Sequence, residues 1–416
     1  MTGRRAFLKT GAGAAAALAA LSGAREHFLQ ALADVKPDLP TRDAYLLDPG
    51  VNYLNHGSIG TIPRLVHEAH IRYLRVLETN PWLYMWSEPW TGPTEEVRRR
   101  AADLMAVSAG EMALTHNTTE AFNLLAHGLP LGPGDEVLYS SLNHPGASHP
   151  WTHMAPVRGF SVRRFDFPVE ELAGMSEEEV VELHLREIRP ETRVLVFPHV
   201  DNLVGLRHPV TALARGAKAA GVEVVAVDGA QSLSMIPVDL RDSGVDVYAG
   251  SPHKWVQAPK GIGVAYLAAD LQERLHPMWV SSGRPGAVGT VRQFEDYGTR
   301  NRPAVLTLGS ALAFQERMRP AVKEAAHRER WVRIRERVEA SPHLHWCSPT
   351  RWELSAALYT VQVQGRSSFE LADELWDQHR VTVRPIRIHG VEGLRLSPNH
   401  HTEPAEVEAF FRPLEG

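Results

Sequence analysis

A single cysteine, Cys347, stands among 416 residues, which excludes any disulfide within the chain. Even in an oxidising compartment, stability has to come from burial and subunit contacts. An excess of basic charge is also missing: 44 Lys and Arg against 49 Asp and Glu give a formal net charge of −5. That balance lacks the basic footprint a nucleic-acid partner requires. The densest basic cluster, residues 328–337, is interrupted by Glu329 and Glu336 as on a solvated helix face. The small-residue apolar run at 11–21 is too short for a stable membrane span. The chain carries no internal repeat and no low-complexity linker. His400 and His401 are adjacent, but neighbours on a regular element point in different directions, and without a third ligand at a sensible spacing no metal site is expected.

What is present fits a globular enzyme: 44% hydrophobic and 22% charged residues, with a length suited to two domains sharing one site. Short, Val-rich apolar runs at 136–139, 161–165, 193–197, 223–227, 245–249 and 263–267 alternate with helix-length segments. This alternation predicts a mainly parallel sheet covered by helices on both faces, in a large domain over residues 76–301. After Asn301 the pattern changes to one long helical stretch, 304 to about 339, then short strands around 357–364, 382–388 and 393–397 and a closing helix from Pro404. Residues 302–416 are therefore predicted to form a small α+β domain.

The most informative segment is 225–267, where one apolar run ends on Asp228, Gln231 follows three residues later, and a second run ends in Ser251-Pro252-His253-Lys254. A lysine amine that holds an aldehyde as a Schiff base, with a carboxylate that keeps a pyridine nitrogen protonated, is what pyridoxal 5'-phosphate chemistry requires. Lys254 and Asp228 supply these two groups. Both fall at carboxyl ends of predicted strands, where open α/β sheets bind ligands.

The segment resembles the fold-type I pyridoxal-phosphate transferases, and within them the class V aminotransferase superfamily with its cysteine desulfurases, kynureninases and isopenicillin N epimerase-like proteins. Asn117-Thr118-Thr119-Glu120-Ala121-Phe122-Asn123, His199-Val200-Asp201-Asn202-Leu203-Val204-Gly205 and Gly298-Thr299 occur in the order that family uses. The resemblance implies that Thr118 and Thr119, at a helix start, cradle the cofactor phosphate with Ser251 and His253. It implies that Asn202 and Gln231 contact the ring oxygen, and that Thr299 reaches the neighbouring subunit's cofactor in a homodimer. A stacking histidine is implied as well. The matching stretch Leu142-Asn143-His144-Pro145-Gly146 departs from the family motif, leaving His144 as the first candidate and His149 as the local alternative.

On the substrate side, the resemblance implies that Arg395 grips an α-carboxylate through a planar fork. It implies that Asn55, His56 and Gly57 line the pocket, within an N-terminal segment, 34–75, placed beside the small domain. The 54–58 loop and the Asn80-Pro81 step before Trp82-Leu83-Tyr84-Met85-Trp86 look most like the isopenicillin N epimerase-like branch. An aminotransferase or lyase acting on an amino-acid or peptide-derived substrate, and a non-catalytic binding fold, are the alternatives. Desulfuration through a protein thiol is disfavoured, because His389-Gly390-Val391-Glu392 stands where the thiol loop belongs and Cys347 reads as a core residue. At the N-terminus, Arg4-Arg5-Ala6-Phe7-Leu8-Lys9 before the apolar run resembles a signal for the twin-arginine translocation machinery over residues 1–33. That resemblance implies export, already folded, to the periplasm or beyond.

Overall fold

The computed structural model describes residues 11–35, 39–86, 88–281 and 287–415. The Arg4-Arg5 pair lies outside them. In chain order the strands are β1 (Asn52–Tyr53), β2 (Met112–Thr115), β3 (Glu136–Ser140), β4 (Ser161–Phe165), β5 (Thr192–Pro198), β6 (Val224–Asp228), β7 (Val247–Gly250), β8 (Gly263–Leu267), β9 (Leu344–Trp346), β10 (Tyr359–Val363), β11 (Val381–Thr382), β12 (Arg384–Ile388) and β13 (Val391–Leu396). Seven of them form one sheet in the order β2-β8-β7-β6-β5-β3-β4. The pairings β3–β4, β3–β5, β5–β6 and β6–β7 are parallel, and β8 alone runs against its neighbours. Every residue of the central strand β6 is buried, as a strand covered on both faces requires.

Alternate side chains divide the core. Leu195, Phe197, Val225 and Val227 face one layer with the helices Arg64–Thr79, Val210–Ala219 and Arg302–Arg317. Val194, Val196, Val224 and Ala226 face the other with Thr118–Gly128 and Pro145–Arg158. A second sheet, β12-β13-β10-β9, is antiparallel. It packs with Pro320–Ala340, Ser368–His379 and Pro404–Phe411 around Trp331, Leu371 and Phe410.

Three expectations are corrected. The long helix is two, Arg302–Arg317 and Pro320–Ala340, because Pro320 lacks the N–H that would continue the ladder and forces the preceding residue out of the helical region. The domain boundary at 301/302 does not coincide with the packing: Val305, Leu308, Ala311 and Leu312 join the large-sheet core together with Val66, Ala69 and Tyr73. So helix Arg302–Arg317 belongs with the large domain, as does helix Arg64–Thr79, although the loop before it meets the small domain through β1–β11 and the Asn55–Ser397 bridge. The strand β2 also lies outside the strand runs read from the sequence, which begin at residue 136. Its Met-Ala-Leu-Thr sequence has little β-propensity, and its pairing with β8 holds it in place.

The N-terminal helix Gly11–Ala33 buries Ala17, Leu21, Phe28 and Leu32 against the large-domain core. No helix among the described residues is long and apolar enough to cross a membrane.

Candidate active site

The site forms where β5, β6 and β7 end. Parallel pairing sets Asp228 beside Pro198 and Ala249, so the loops leaving all three strands meet at one carboxylate. Ala230 N–H donates to Asp228 Oδ1 at 2.9 Å. Burial raises the Asp228 pKa, opposed by that N–H and by the charge of Lys254. After β7 the chain turns at once, with Lys254 N–H donating to Ser251 O at 3.1 Å. Desolvation lowers the Lys254 pKa to about 8; Asp228 opposes the shift, while Arg395 and Arg384 add to it. An amine near neutrality at pH 7–8 can attack an aldehyde. The loop after β5 is fixed by Asp201, whose carboxylate accepts N–H groups of Leu203 at 2.7 Å, Val204 at 2.8 Å and Leu206 at 2.5 Å. It thereby presents Asn202.

Two helix N-termini converge beside this point. Asn117 caps helix Thr118–Gly128 by accepting Glu120 N–H at 2.9 Å. Thr118 meets Ser251 through its hydroxyl at 2.8 Å and its N–H at 3.1 Å. A Cβ built on Gly146, at the start of helix Pro145–Arg158, would lie 2.5 Å from Thr119 Oγ1, so a larger residue there would push the Thr119 hydroxyl out of its position between the two termini. His144 caps the second helix by accepting Gly146 N–H on Nδ1 at 3.0 Å. Its pKa falls to about 4 through burial and the charges of Lys254, Arg384 and Arg395, so its ring is neutral and close to the lysine. His149 lies one turn further on and is exposed. His253 Nδ1 is buried without a partner, and its pKa is lowered to about 4 by burial and by Lys254 and Lys260.

The small domain supplies the opposite wall. Arg395 is fully buried, and its Nη1 donates to Asn202 O at 2.9 Å while Nη2 donates to Asn55 Oδ1 at 3.0 Å and Ser58 Oγ at 2.7 Å. No carboxylate pairs with it among the described residues, and its Nε is buried and unpartnered. Burial and Arg384 lower its pKa to about 9, opposed by Asp201 and Tyr53.

Other residues are placed differently from expectation. His56 turns away from Lys254: its ring sits edge-on to Tyr53 and His401, 4.9 Å from each, and the charges acting on it are those of Arg42 and Arg330. In an extended segment successive side chains alternate, so Asn55 facing Arg395 sends His56 to the other side. Gly57 ties segments together through its backbone. Its N–H donates to Ser397 Oγ at 2.9 Å and its carbonyl accepts Gln231 Nε2 at 2.8 Å. Gln231 Oε1 in turn accepts from Trp255 Nε1 at 2.9 Å, which leaves Gln231 one N–H for any ring oxygen. Thr299 is exposed, just after Gly298 at φ +88°. Arg384 and Ser58 were not among the candidates; both emerge only from strand register and hydrogen bonding.

Taken together, the charges of Asp228, Arg384 and Arg395 all act on Lys254, and the buried Asp201 acts on Arg395. Paired helix N-termini with Thr118, Thr119 and Ser251 suit a phosphate, Asp228 suits a protonated ring nitrogen, and Lys254 suits the aldehyde. The residues present therefore fit pyridoxal 5'-phosphate.

The comparisons agree with that geometry. A solved C-DES mutant with glycine covalently linked to its PLP cofactor has a TM-score of 0.79 at 22% identity, covering 91% of this chain and 99% of that one. The fold is that of the fold-type I pyridoxal-phosphate enzymes. The chain belongs to the aminotransferase class-V family, whose model matches residues 53–401, and it is accordingly a pyridoxal 5'-phosphate-dependent enzyme. Isopenicillin N epimerase of Amycolatopsis lactamdurans is 32% identical over 392 residues, 90% of this chain and 96% of its own length. A cysteine desulfurase of Pectobacterium atrosepticum is 30% identical over 295 residues, 67% and 70% of the respective chains.

Proposed function

We propose that this enzyme acts at the α-amino group or α-carbon of an amino acid or peptide-derived substrate, in the manner of the isopenicillin N epimerase relatives. The observation that carries the reading is the pairing of Lys254, an amine with its pKa near 8, with Arg395, a buried guanidinium whose hydrogen-bond partners among the described residues are all neutral. Bound pyridoxal phosphate supplies the electron sink for a carbanion at the substrate α-carbon. The chain supplies the rest: Arg395 holds the α-carboxylate, Lys254 moves the α-proton, Asp228 keeps the ring nitrogen charged, and His144 covers the ring face. Desulfuration through a chain thiol is not supported. Cys347 follows β9 at the far side of the small sheet, with its N–H on Thr360 O at 3.0 Å, and burial raises its pKa to about 11.

Incubating the cofactor-loaded enzyme in deuterium oxide with an amino-acid and peptide panel, followed by mass spectrometry, tests the reading. Exchange at the α-carbon without net conversion supports epimerisation, while amine loss or chain cleavage supports a transaminase or lyase. Absence of all three across the panel would overturn it.

We infer that the enzyme works as a homodimer with shared sites. Supporting this, Thr299 is exposed, and exposed Trp279, Val280 and Val288 lie in the same region of the chain. Subunit exchange between inactive Lys254→Ala and inactive Thr299→Ala proteins should restore activity at one site of each hybrid. No recovery after demonstrated exchange places Thr299 within its own site.

Export by the twin-arginine machinery rests on residues 4–21 of the sequence. Helix Gly11–Ala33 holds four buried residues in the core, so a cut after Ala33 would uncover apolar surface. Replacing Arg4 and Arg5 by lysine should retain the cofactor-loaded protein in the cytoplasm, and undiminished export would refute this reading.

A further inference from the structure

Arg384 on β12 stands directly opposite Arg395 on β13 in antiparallel register. Residues so paired project from the same face of the sheet, and like charges there destabilise it. The same two strands show the ordinary solution three residues on, where Arg387 opposes Glu392 and forms an ion pair with it. Among the described residues no hydrogen bond or ion pair neutralises Arg384, and burial lowers its pKa.

Its face of the sheet is fixed by Ile386, which packs with Leu142, Leu203 and Val204 from the loops that present His144 and Asn202. The charge of Arg384 acts on Lys254, His144 and Arg395. It does not figure among the charges acting on His253 at the phosphate end, which are those of Lys254 and Lys260. Arg384 thus belongs to the substrate half of the cleft. Arg395 is fully buried and Arg384 only half-buried, so the two cations lie at different depths.

We propose that the substrate carries two acidic groups: an α-carboxylate taken by Arg395 and a second, distal carboxylate taken by Arg384 nearer the mouth. This rests on the reading of Lys254 and Arg395 above. The Asp201 carboxylate acts on Arg395, whereas Arg384 has burial alone acting on it, so a single α-carboxylate on Arg395 leaves Arg384 unpaired in a partly dehydrated wall.

The test titrates the cofactor-loaded enzyme with L-aspartate, L-glutamate and L-2-aminoadipate against L-asparagine and L-glutamine, following the visible spectrum of the bound cofactor. Thermal shifts with glutarate and butyrate give a readout independent of turnover. The wild type should bind at least one diacid tenfold or more tighter than the neutral amides, and glutarate should raise the melting temperature more than butyrate. In Arg384→Gln the preference should fall toward unity, and Arg384→Lys should restore part of it. Equal binding of diacids and amides in the wild type, or an unchanged preference in Arg384→Gln, overturns the proposal while leaving the reading of Lys254 standing. If no amino acid and no peptide of the panel perturbs the spectrum, the underlying functional reading fails and this proposal with it.

Discussion

Replacing Gly60 by alanine probes how tightly the N-terminal loop and the catalytic lysine are held together. A Cβ at this position would lie 2.0 Å from Lys254 O and 2.6 Å from His253 O, all backbone contacts. A comfortable C···O approach needs about 3.3 Å, so one backbone must retreat by more than ~1 Å. The loop cannot absorb that freely. Gly57 is bound to Ser397 and Gln231, Asn55 and Ser58 to Arg395, and Gly60 N–H to His253 O at 3.0 Å. Displacement therefore reaches either Lys254 or the Arg395 fork. Overpacking of this kind costs about 1–3 kcal/mol, and an ångström of misplacement at the reacting groups costs roughly a hundredfold in rate. Gly60→Ala should lower the melting temperature, weaken cofactor retention and cut α-proton exchange by about two orders of magnitude. Gly92→Ala is the control: nothing lies within 4 Å of its Cβ, and in helix Thr91–Asp103 the change stabilises by up to about 1 kcal/mol. Wild-type melting and exchange in Gly60→Ala would refute the packing argument.

Lys254→Ala should keep cofactor bound through the phosphate cradle, as equilibrium dialysis would show, while losing the visible band and turnover; normal turnover would remove Lys254 from its role. The apoenzyme should take up pyridoxal phosphate faster as pH rises towards 8, because only the neutral amine attacks, and then level off; a rate still climbing at pH 10 would mean that the amine is not desolvated. Acid should destabilise the fold: burial lowers the pKa of His56 and His199 to about 3 and of His184 to about 4, against 6.5 when unfolded. Their contribution is complete above pH 6.5 and is lost as pH falls towards 3–4. Between pH 6.5 and 5.5 the three together should remove about 3 kcal/mol, visible in denaturant midpoints, and midpoints flat across that interval would contradict it.

The groups legible in the sequence are those whose role depends on a local signal. Asp228 closes a strand of five buried residues, Lys254 sits in the turn after the next strand, and Thr118 follows a capping Asn117. Side chains placed by distant contacts were not legible. His56 is turned away because Asn55 is claimed by Arg395, a residue 340 positions on. Gln231 is largely occupied because Trp255 and Gly57 both reach it. Arg384 reads as an ordinary strand arginine until the register with Arg395 is known. Pro320, by contrast, is a local signal for a helix break, and the single helix expected across it overlooked that signal.

The charge balance of the cleft also bears on how the domains are joined. Arg395 belongs to the small sheet, yet it is hydrogen-bonded to Asn202 of the large domain and to Asn55 and Ser58 of the N-terminal loop. All of these hydrogen-bond partners are neutral, so three segments are pinned by a desolvated cation whose charge the buried Asp201 carboxylate offsets only in part. An anion arriving at Arg395 does more than dock a substrate: it removes the electrostatic penalty at the point where the three segments meet. Charge-assisted hydrogen bonds strengthen when both partners are ionised. The bound state should therefore be the more rigid one, with Asn55, Asn202 and Arg395 held in a single geometry around the α-carbon. Substrate binding and the assembly of a competent site then follow from the same interaction.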